Sequence, residues 1–205
     1  MDDLILFGGG GHCRSCIDVI EMEMKFQIAG IIDVAEKVGQ SVLGYPIIGT
    51  DNDLKRLAKK YRYFLITIGQ IESADVRIAK YEHLKTLGAS FPVIISPFAH
   101  VSKHSGINAG TIIMHNAIVN AGAQIGANCI INTGAIIEHD VNIGDHCHIS
   151  TGAIVNGGTK IGAKTFIGSN SATRQYIEIG EGAFIKSGVT VPVSLEACKK
   201  YPDTK

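Results

Sequence analysis

The residues best suited to chemistry lie between Ile137 and His148, a segment with three histidines and three carboxylates in a region otherwise short of charge. His139 and Asp140 are adjacent within it. An imidazole has an ordinary pKa of ~6.5, close to working pH, and a neighbouring carboxylate can orient it and raise that pKa. The pair could therefore act as a general base, although adjacent His and Asp residues also occur as plain surface polarity.

A second candidate site is the run of four glycines, Gly8–Gly11, that precedes His12. Glycines let the backbone approach a phosphate, whose charge can be met by N–H groups at a helix N-terminus. Gly8 and Gly10 fit the dinucleotide-binding fingerprint, but Cys13 stands where a third Gly or Ala belongs. The run predicts a nucleotide-binding turn, with a tight turn that binds nothing as the alternative.

A six-residue repeat determines how the first candidate is positioned. From Ile95 to Val191 every sixth residue is Ile or Val except Thr173, and mostly small residues follow four places later. This period matches neither an α-helix nor an alternating strand. It is typical of a parallel β-helix in which each hexad forms one short strand and one corner, and three hexads close a coil of about 18 residues. The large and small residues then fill the axis.

The register of the repeat separates the two outer histidines of the segment. Corners are expected at 139–140, 145–146 and 151–152, so His139 lies at a corner. His148 falls between inward residues and is expected to point outward from a flat face, opposite that corner. One subunit cannot easily bring both histidines to one substrate. If both serve one site, the site lies between subunits, as a cyclic trimer of parallel prisms would allow.

Residues 1–94 alternate apolar segments with helical patterns, which predicts an α/β, Rossmann-like domain with a parallel sheet. The expected strands are 4–7, 27–32, 64–68 and 91–95, and the expected helices follow residue 12, begin at 51 and span 73–87. Thr50 and Asp53 form a plausible capping box. Residues 34–49 are interpreted as a long connection. Asp33 ends the second strand, where such folds place a ribose-binding acid.

Residues 95–205 are predicted to form the β-helix with a carboxyl-terminal cap. The tail after Val191 breaks the repeat, and we expect it to form a short closing helix. The stretch Tyr176-Ile177-Glu178 is expected to break the hexad at Thr173.

The composition of the chain gives no reason to expect nucleic acid or a membrane as a partner. Lys and Arg together number 19, as do Asp and Glu, so the overall charge gives no reason to expect nucleic-acid binding. The amino terminus lacks the features of a signal peptide, and no stretch approaches the ~20 apolar residues of a membrane span. We therefore expect a soluble, cytoplasmic protein without membrane contact.

The cysteines and the remaining histidines have simple explanations. Cys129 and Cys147 occupy small inward positions, while Cys13 and Cys16 form a CxxC that could be a redox pair but is better explained as packing in a helix. No second Cys or His pair lies at zinc-ligand spacing, so no metal is expected. The histidines expected to be solvated surface residues are His83, His100, His104 and His115.

The chain resembles the hexapeptide-repeat acyltransferases, left-handed β-helix trimers that use acetyl-CoA. More narrowly, it resembles bacterial sugar acetyltransferases that include the UDP-4-amino-sugar N-acetyltransferases of the UDP-N-acetylbacillosamine pathway and the sialic acid O-acetyltransferases. The resemblance rests on the turn ending at Gly11-His12, the turn at Gly69, the block 132–140 and His148-Ile149-Ser150. The left-handed coil is implied by this family, because ordinary parallel crossovers are right-handed.

The resemblance implies a role for each matching residue. His139 would be the general base and Asp140 would orient it. Residues implied to bind the nucleotide-sugar are Gly11, His12, Asp33, Gly69, Asn132 and Glu138. Residues implied to contact acetyl-CoA, the cosubstrate, are His148, Gly157, Ser169 and Ser187, with the Gly157 N–H holding the thioester carbonyl. Gly157 follows His139 by one coil, so the two should stack. The family's usual Gly-Val-Pro-Ala-Lys-like ending is absent here.

These observations predict an acetyl-CoA-dependent N-acetyltransferase acting on the amino group of a UDP-linked 4-amino sugar, with direct attack assisted by a histidine base. One alternative keeps the fold and transfers the acetyl group to a hydroxyl of sialic acid or another surface-polysaccharide sugar. A third hypothesis is a non-catalytic nucleotide-binding solenoid.

Overall fold

The computed structural model describes residues 1–70 and 72–202 and contains an α/β part followed by a β-helix. The α/β part comprises β1 (Asp2–Phe7), α1 (Gly11–Glu23), β2 (Phe26–Ile32), β3 (Ser41–Val42), β4 (Tyr45–Gly49), α2 (Leu54–Lys60), β5 (Tyr63–Ile66) and α3 (Asp75–Thr86). Short 3₁₀ turns cover Ala35–Lys37 and Asp51–Asp53. The expected capping box forms, with Thr50 and Asp53 each bonding the other's backbone N–H.

The five strands form one sheet in the order β3-β4-β2-β1-β5. β1 pairs in parallel with β2 and β5, and β2 pairs in parallel with β4. The interpretation of residues 34–49 as a connection was wrong, because they include β3 and β4, an antiparallel hairpin that extends the sheet. Strands as short as β3 leave no alternating pattern to read. The expected strand at 91–95 shortens to Ile94–Ile95 and joins the β-helix instead.

The β-helix consists of two-residue strands separated by corners. They are β6 (Ile94–Ile95), β7 (His100–Val101), β8 (Gly106–Ile107), β9 (Ile112–Ile113), β10 (Ile118–Val119), β11 (Gln124–Ile125), β12 (Ile130–Ile131), β13 (Ile136–Ile137), β14 (Asn142–Ile143), β15 (His148–Ile149), β16 (Ile154–Val155), β17 (Lys160–Ile161), β18 (Phe166–Ile167), β19 (Ala172–Thr173), β20 (Glu178–Ile179), β21 (Phe184–Ile185), β22 (Thr190–Val191) and β23 (Lys200–Tyr201).

These strands stack into three parallel sheets, which confirms the predicted left-handed β-helix. Face 1 contains β6, β9, β12, β15, β18, β21 and β23; face 2 contains β7, β10, β13, β16, β19 and β22; face 3 contains β8, β11, β14, β17 and β20. Asp140, His146 and Gly152 have the positive φ of corner residues, as the register predicted. Cys129 and Cys147 are buried in the axis, again as predicted.

The repeat is more regular than its sequence suggested. The hexad at Thr173 is not broken, because Ala172–Thr173 pairs in register with Thr190–Val191. Here the small residue Thr173 occupies the large position while Ile177, also buried, occupies the small one. The exchange keeps the axis filled, so the coil needs no distortion.

The tail continues the β-helix and does not form the expected closing helix. Leu195 bridges to Ile179 and Lys200–Tyr201 pairs with Phe184–Ile185, so this coil is two residues shorter than the others. The last part of the tail, 203–205, lies outside the described residues.

Face 1 is the side of the β-helix that the α/β part covers. Its outward residues Ile112 and Ile130 belong to the same buried cluster as Cys13, Ile17 and Leu65. Burying these apolar side chains fixes the two parts against each other. Within the described residues, no helix has the length and apolar character needed to span a bilayer.

Candidate active site

A cavity of about 1070 Å³ lies between the α/β part and face 1. One wall consists of the segments that follow β1, β2 and β5, because the carboxyl ends of parallel strands meet at one edge of the sheet. The other wall comes from face 1 and the corner beside it. The cavity is lined by the whole glycine run, Gly8–Gly11, and by five other predicted residues, namely His12, Asp33, Gly69, Asn132 and His148.

The glycine-rich turn is held by its own domain. The Gly8 N–H donates to the Ile32 carbonyl (2.8 Å) and the Thr67 hydroxyl donates to the Gly8 carbonyl (2.7 Å). Gly9 has no room for a side chain, because a Cβ there would lie 2.8 Å from Asp33 Oδ2. Helix α1 begins directly after Gly10, an N-cap residue without a capping side chain. The first N–H groups of α1 therefore face the cavity as donors for an anion.

The carboxylate of Asp33 accepts hydrogen bonds from other groups of the protein. Its Oδ2 accepts from the Gly9 N–H (2.8 Å) and from Lys37 Nζ (3.0 Å), and its Oδ1 accepts from the Val34 N–H (2.7 Å). Burial alone would raise the pKa of Asp33, but these hydrogen bonds outweigh it and the pKa is lowered. Asp33 is thus ionised at neutral pH and braces the glycine turn at the cavity edge.

His148 points outward from face 1, as the register predicted, but the α/β part covers this face and the side chain is buried. Only 7% of the residue is accessible, because the segment after β5 lies over it. Its Nδ1 lies 2.7 Å from the Gln70 carbonyl, which can only accept, so Nδ1 carries the proton. Nε2 then accepts from the Asn132 amide (3.0 Å). Burial lowers the pKa of His148 to about 4, so the ring is neutral and unsuited to act as a base.

His12 is a second neutral imidazole in the cavity wall. Burial, together with the nearby His148 and Arg77, lowers its pKa to about 3. The neighbouring Cys13 and Cys16 are free thiols packed in the core, and burial raises the pKa of Cys13 to about 11. These surroundings agree with the packing explanation of the CxxC, because thiols with raised pKa values are poor nucleophiles.

His139 lies at an exposed corner between faces 2 and 3. Its Nδ1 is 3.0 Å from Asp140 Oδ2, and the two side chains are 52% and 71% exposed. Gly157 stacks on this corner in the next coil, as the register predicted: the Gly158 N–H donates to the His139 carbonyl (2.9 Å). A Cβ at Gly157 would lie 2.6 Å from His139 Nε2, so the imidazole occupies the space that glycine leaves.

The other predicted residues also lie in columns, which are sets of residues at equivalent positions of successive coils. Glu138 accepts from the Asn120 amide (3.0 Å) on face 2, beside the His139 corner. Ser169 and Ser187 stack on a different corner, where the Gly188 N–H donates to the Ser169 carbonyl (2.8 Å). That column continues from the cavity residues Thr133 and Thr151. Within one chain the predicted residues therefore form two groups, and the His139 corner lies away from the cavity.

Sequence reasoning missed much of the cavity lining, including the polar residues Lys37, Gln70, Lys80 and Thr151. Lys37 could have been found from the sequence, because it stands four residues after Asp33. It lies in the short 3₁₀ turn and pairs with Asp33. Thr151 follows from the corner register. Nothing in the sequence indicated Gln70 or Lys80, since their positions depend on how α3 packs.

One surface assignment was also wrong. His115 is not simply solvated: its Nε2 lies 2.8 Å from Asp18 Oδ2 and its Nδ1 lies 2.6 Å from Ser96 Oγ, which ties the β-helix to α1. His83, His100 and His104 are exposed as predicted. Among the described residues, no group of three or more His, Cys, Asp and Glu side chains could hold a metal ion.

Two regions of the chain match known protein families. Residues 3–84 match the family described as the PglD N-terminal domain, and residues 158–192 match the hexapeptide repeat of succinyl-transferase. No curated protein sequence matches the chain significantly. These matches confirm the resemblance to hexapeptide-repeat sugar acetyltransferases.

Solved structures extend the similarity to nearly the whole chain. A histidine-to-asparagine variant of perosamine N-acetyltransferase from Caulobacter crescentus, in complex with CoA and GDP-perosamine, is 26% identical over 98% of this chain and 93% of that chain, with a TM-score of 0.91. The acetyltransferase domain of PglB from Neisseria gonorrhoeae FA1090, in complex with acetyl coenzyme A, is 28% identical over 97% and 94%, with a TM-score of 0.88. WeeI from Acinetobacter baumannii AYE shares the fold at 20% identity over 98% and 96%, with a TM-score of 0.85. The prediction that the chain is an acetyltransferase is confirmed.

Proposed function

We propose that this hexapeptide-repeat acetyltransferase moves the acetyl group of acetyl-CoA to the amino group of a nucleotide-linked 4-amino sugar. The products would be the acetamido sugar and free CoA. The observation that carries the proposal is the His139–Asp140 pair beneath Gly157, in a chain whose structural neighbours include an N-acetyltransferase bound to CoA and an amino-sugar nucleotide. The finer assignment of a UDP-linked sugar, made from sequence, stays part of this proposal.

The cavity has the chemistry of a nucleoside diphosphate site. The glycine turn brings main-chain N–H groups to its edge at the start of α1, where an anion is favoured by the helix dipole. Lys37 and Lys80 also line the cavity, where they pair with Asp33 and Asp51 of the same lining, so these four side chains together add no net charge. Asp33 orders the turn through Gly9, and the ribose contact that sequence suggested for it stays a prediction. Gly11, His12 and Gly69 would lie against the nucleotide-sugar.

The His139 corner has the chemistry of a general base. Asp140 fixes the Nδ1 side of the ring, which leaves Nε2 to take the proton as the amine attacks the thioester carbon. The negative charge that develops on the carbonyl oxygen would be met by the Gly157 N–H, a donor held rigidly in the coil above. Collapse of the tetrahedral species then breaks the carbon–sulfur bond, and the departing CoA thiolate takes up the proton that His139 holds. Bound reactants need no acyl-enzyme, because positioning supplies much of the rate.

The two groups of residues must come from different subunits. The cavity lies against face 1, whereas His139 lies at the corner between faces 2 and 3 of the same chain. A cyclic homotrimer would bring the His139 corner of one subunit to the cavity of the next. His148, Ser169 and Ser187 would then line the coenzyme's path on the cavity side, and Asn132 and Glu138 would lie beside the sugar on either side of the interface. The trimer and a cytoplasmic location stay predictions.

Subunit complementation tests this arrangement. We would co-express His139→Ala with Asn132→Ala under two affinity tags, purify the doubly tagged assemblies and measure CoA release. In a trimer with intersubunit sites, each mixed assembly retains one intact site of three, so about a third of wild-type turnover is expected. Each variant alone should be nearly inactive, with His139→Ala about 10²–10⁴-fold lower in kcat. Inactive mixed assemblies would contradict a shared site.

The acceptor is tested in parallel reactions. Wild-type enzyme and acetyl-CoA would be supplied with a UDP-linked 4-amino sugar, a GDP-linked 4-amino sugar, or free sialic acid, and acetylated products identified by mass spectrometry. Product only from a nucleotide-linked amino sugar supports the proposal and identifies whether the preferred nucleotide is UDP or GDP. Product only from sialic acid would replace it by O-acetylation. Absence of turnover with acetyl-CoA still bound would mean that the acceptor is a different sugar, whereas failure to bind acetyl-CoA would favour a non-catalytic solenoid.

A further inference from the structure

Arg77 is the most deeply buried charged side chain between the two parts of the protein. It extends from α3 with 1% exposure. Its Nη2 donates to the Asn128 carbonyl (2.6 Å) and side-chain oxygen (3.2 Å), and its Nη1 donates to Gln70 Oε1 (3.1 Å). Among the described residues, its Nε has no hydrogen-bond partner. All the acceptors are neutral amides, so this guanidinium lies in the interior without the carboxylate that usually offsets such burial.

Burial lowers the pKa of Arg77 only to about 10, so the group stays charged at neutral pH. An isolated buried charge is costly, and an apolar side chain of similar size would fill the space with less penalty. A role in stability alone therefore explains Arg77 poorly. Its hydrogen bonds point to another role, because each one reaches a residue that contacts a histidine.

Gln70 is the first of these residues. Its Oε1 accepts from Arg77, its Nε2 donates to the Lys164 carbonyl (3.2 Å), and its own carbonyl accepts the His148 Nδ1–H (2.7 Å). The side chain is thus held at both ends while the main chain bonds the imidazole. Asn128 is the second: it accepts from Arg77 and its amide lies 3.0 Å from His146 Nδ1. Arg77 consequently holds the segment after β5 onto face 1.

We infer that Arg77 is a positioning residue which, by clamping Gln70, holds His148 as a single Nδ1–H tautomer whose Nε2 is bonded by Asn132. This arrangement sets the β-helix wall of the cavity, including the amide of Asn132, before substrate arrives. Without the clamp the segment after β5 is free to move, the His148 ring loses its fixed acceptor, and both ring and amide can reorient. The effect on turnover rests on the proposed function, whereas the effect on the His148 tautomer does not.

The direct test is the ¹⁵N spectrum of the histidine side chains in the full-length protein, with His148→Gln assigning the His148 signals. We expect one Nδ1–H tautomer in the wild type. Arg77→Met keeps the apolar stem and removes all the donors; it should give averaged ring-nitrogen shifts for His148. Gln70→Met removes only the clamped amide and should give the same change. In the double variant, the effects should be no larger than in either single variant, because both break one linkage.

The matched control is Asp18→Asn, which weakens a different contact between the same two parts, the one to His115. It should leave the His148 signals unchanged. Arg77→Lys retains a charge but lacks the fork that reaches both amides, so it should resemble Arg77→Met more than the wild type. In turnover assays, Arg77→Met should raise the KM for the nucleotide-sugar about 10-fold, equal to ~1.4 kcal/mol, with kcat within a few-fold.

An unchanged His148 tautomer in folded Arg77→Met would overturn the inference, whatever its activity. If Arg77→Met does not fold, Gln70→Met decides in the same way, since Arg77 keeps its bonds to Asn128 in that variant. If the enzyme proves inactive with every acceptor, the proposed function fails while the spectra still decide the role of Arg77.

Discussion

Gly157→Ala is the sharpest perturbation that the structure offers, because one methyl group would enter the space of the proposed catalytic base. The added Cβ would lie 2.6 Å from His139 Nε2 and 2.8 Å from its Cε1. Ordinary van der Waals contact needs about 3.5 Å. The ring is exposed and can rotate away, but it has to retreat by about 1 Å on the side that carries the reactive nitrogen.

That displacement sets the expected size of the effect. A misplacement of about 1 Å at a reacting group can cost about 10²-fold in rate, which corresponds to roughly 2.7 kcal/mol in the activation barrier. Stability should respond differently. Gly157 does not have a positive φ, so alanine introduces no backbone strain there and lowers the entropy of the unfolded chain. We therefore expect a fold at least as stable as the wild type, to within about 1 kcal/mol, with kcat about 10²-fold lower.

The assay measures CoA release under saturating acetyl-CoA alongside unfolding in denaturant. The matched control is Gly182→Ala, at a corner where the φ is +67° and the nearest contact for a Cβ would be Cys198 Sγ at 3.4 Å. This control should lose about 1–2 kcal/mol of stability from left-handed strain while keeping its turnover. The two variants should thus show opposite patterns of activity and stability.

Turnover in Gly157→Ala above half of the wild-type value would refute the role of His139 as the base beneath this glycine. The loss should also appear in kcat and not in the KM for the nucleotide-sugar, because the displaced nitrogen is the proposed proton acceptor and not a group of the binding cavity. A raised KM with normal kcat would instead assign Gly157 to substrate binding.

Three further predictions concern single side chains. Asp140→Asn should lower kcat about 10-fold, because the ring loses the carboxylate that orients it through Nδ1; unchanged turnover would exclude a role for the pairing. Burial lowers the pKa of His148 from 6.5 to about 4, so the free energy of unfolding has its full value above pH 6.5 and falls as the pH falls toward 4. In His148→Gln this fall in the free energy of unfolding should be smaller by roughly 3 kcal/mol. Denaturant titrations at fixed protein concentration measure it. Of the five cysteines, Cys198 alone is exposed, so one thiol per native chain should react rapidly with a disulfide reagent and four only on unfolding.

The parts of the fold that sequence predicted are those specified by neighbouring residues. The hexads fix strands, corners and the stacking of Gly157 on His139, because each coil repeats the same local geometry. The burial of His148 could not be predicted in this way. It depends on Gln70, 78 residues earlier in the chain, and on how α3 packs. The hairpin at 41–49 also escaped prediction, because β3 has only two residues and β4 contains Pro46, a residue that argues against a strand.

The distance of nine residues between His139 and His148 is half a coil, and this spacing shapes the whole enzyme. Half a coil places one histidine at a corner, exposed and bonded to Asp140, and the other on the opposite face, buried and neutral under Gln70. The two environments suit different tasks: an exposed ring beside a carboxylate can exchange a proton with a substrate, and a buried ring held by Gln70 and Asn132 can form a fixed wall of the binding site. A single prism cannot join these surfaces, so assembly and catalysis have to be coupled if the proposed function is correct. The rigid β-helix then supplies both halves of each site with the same fixed geometry in every subunit.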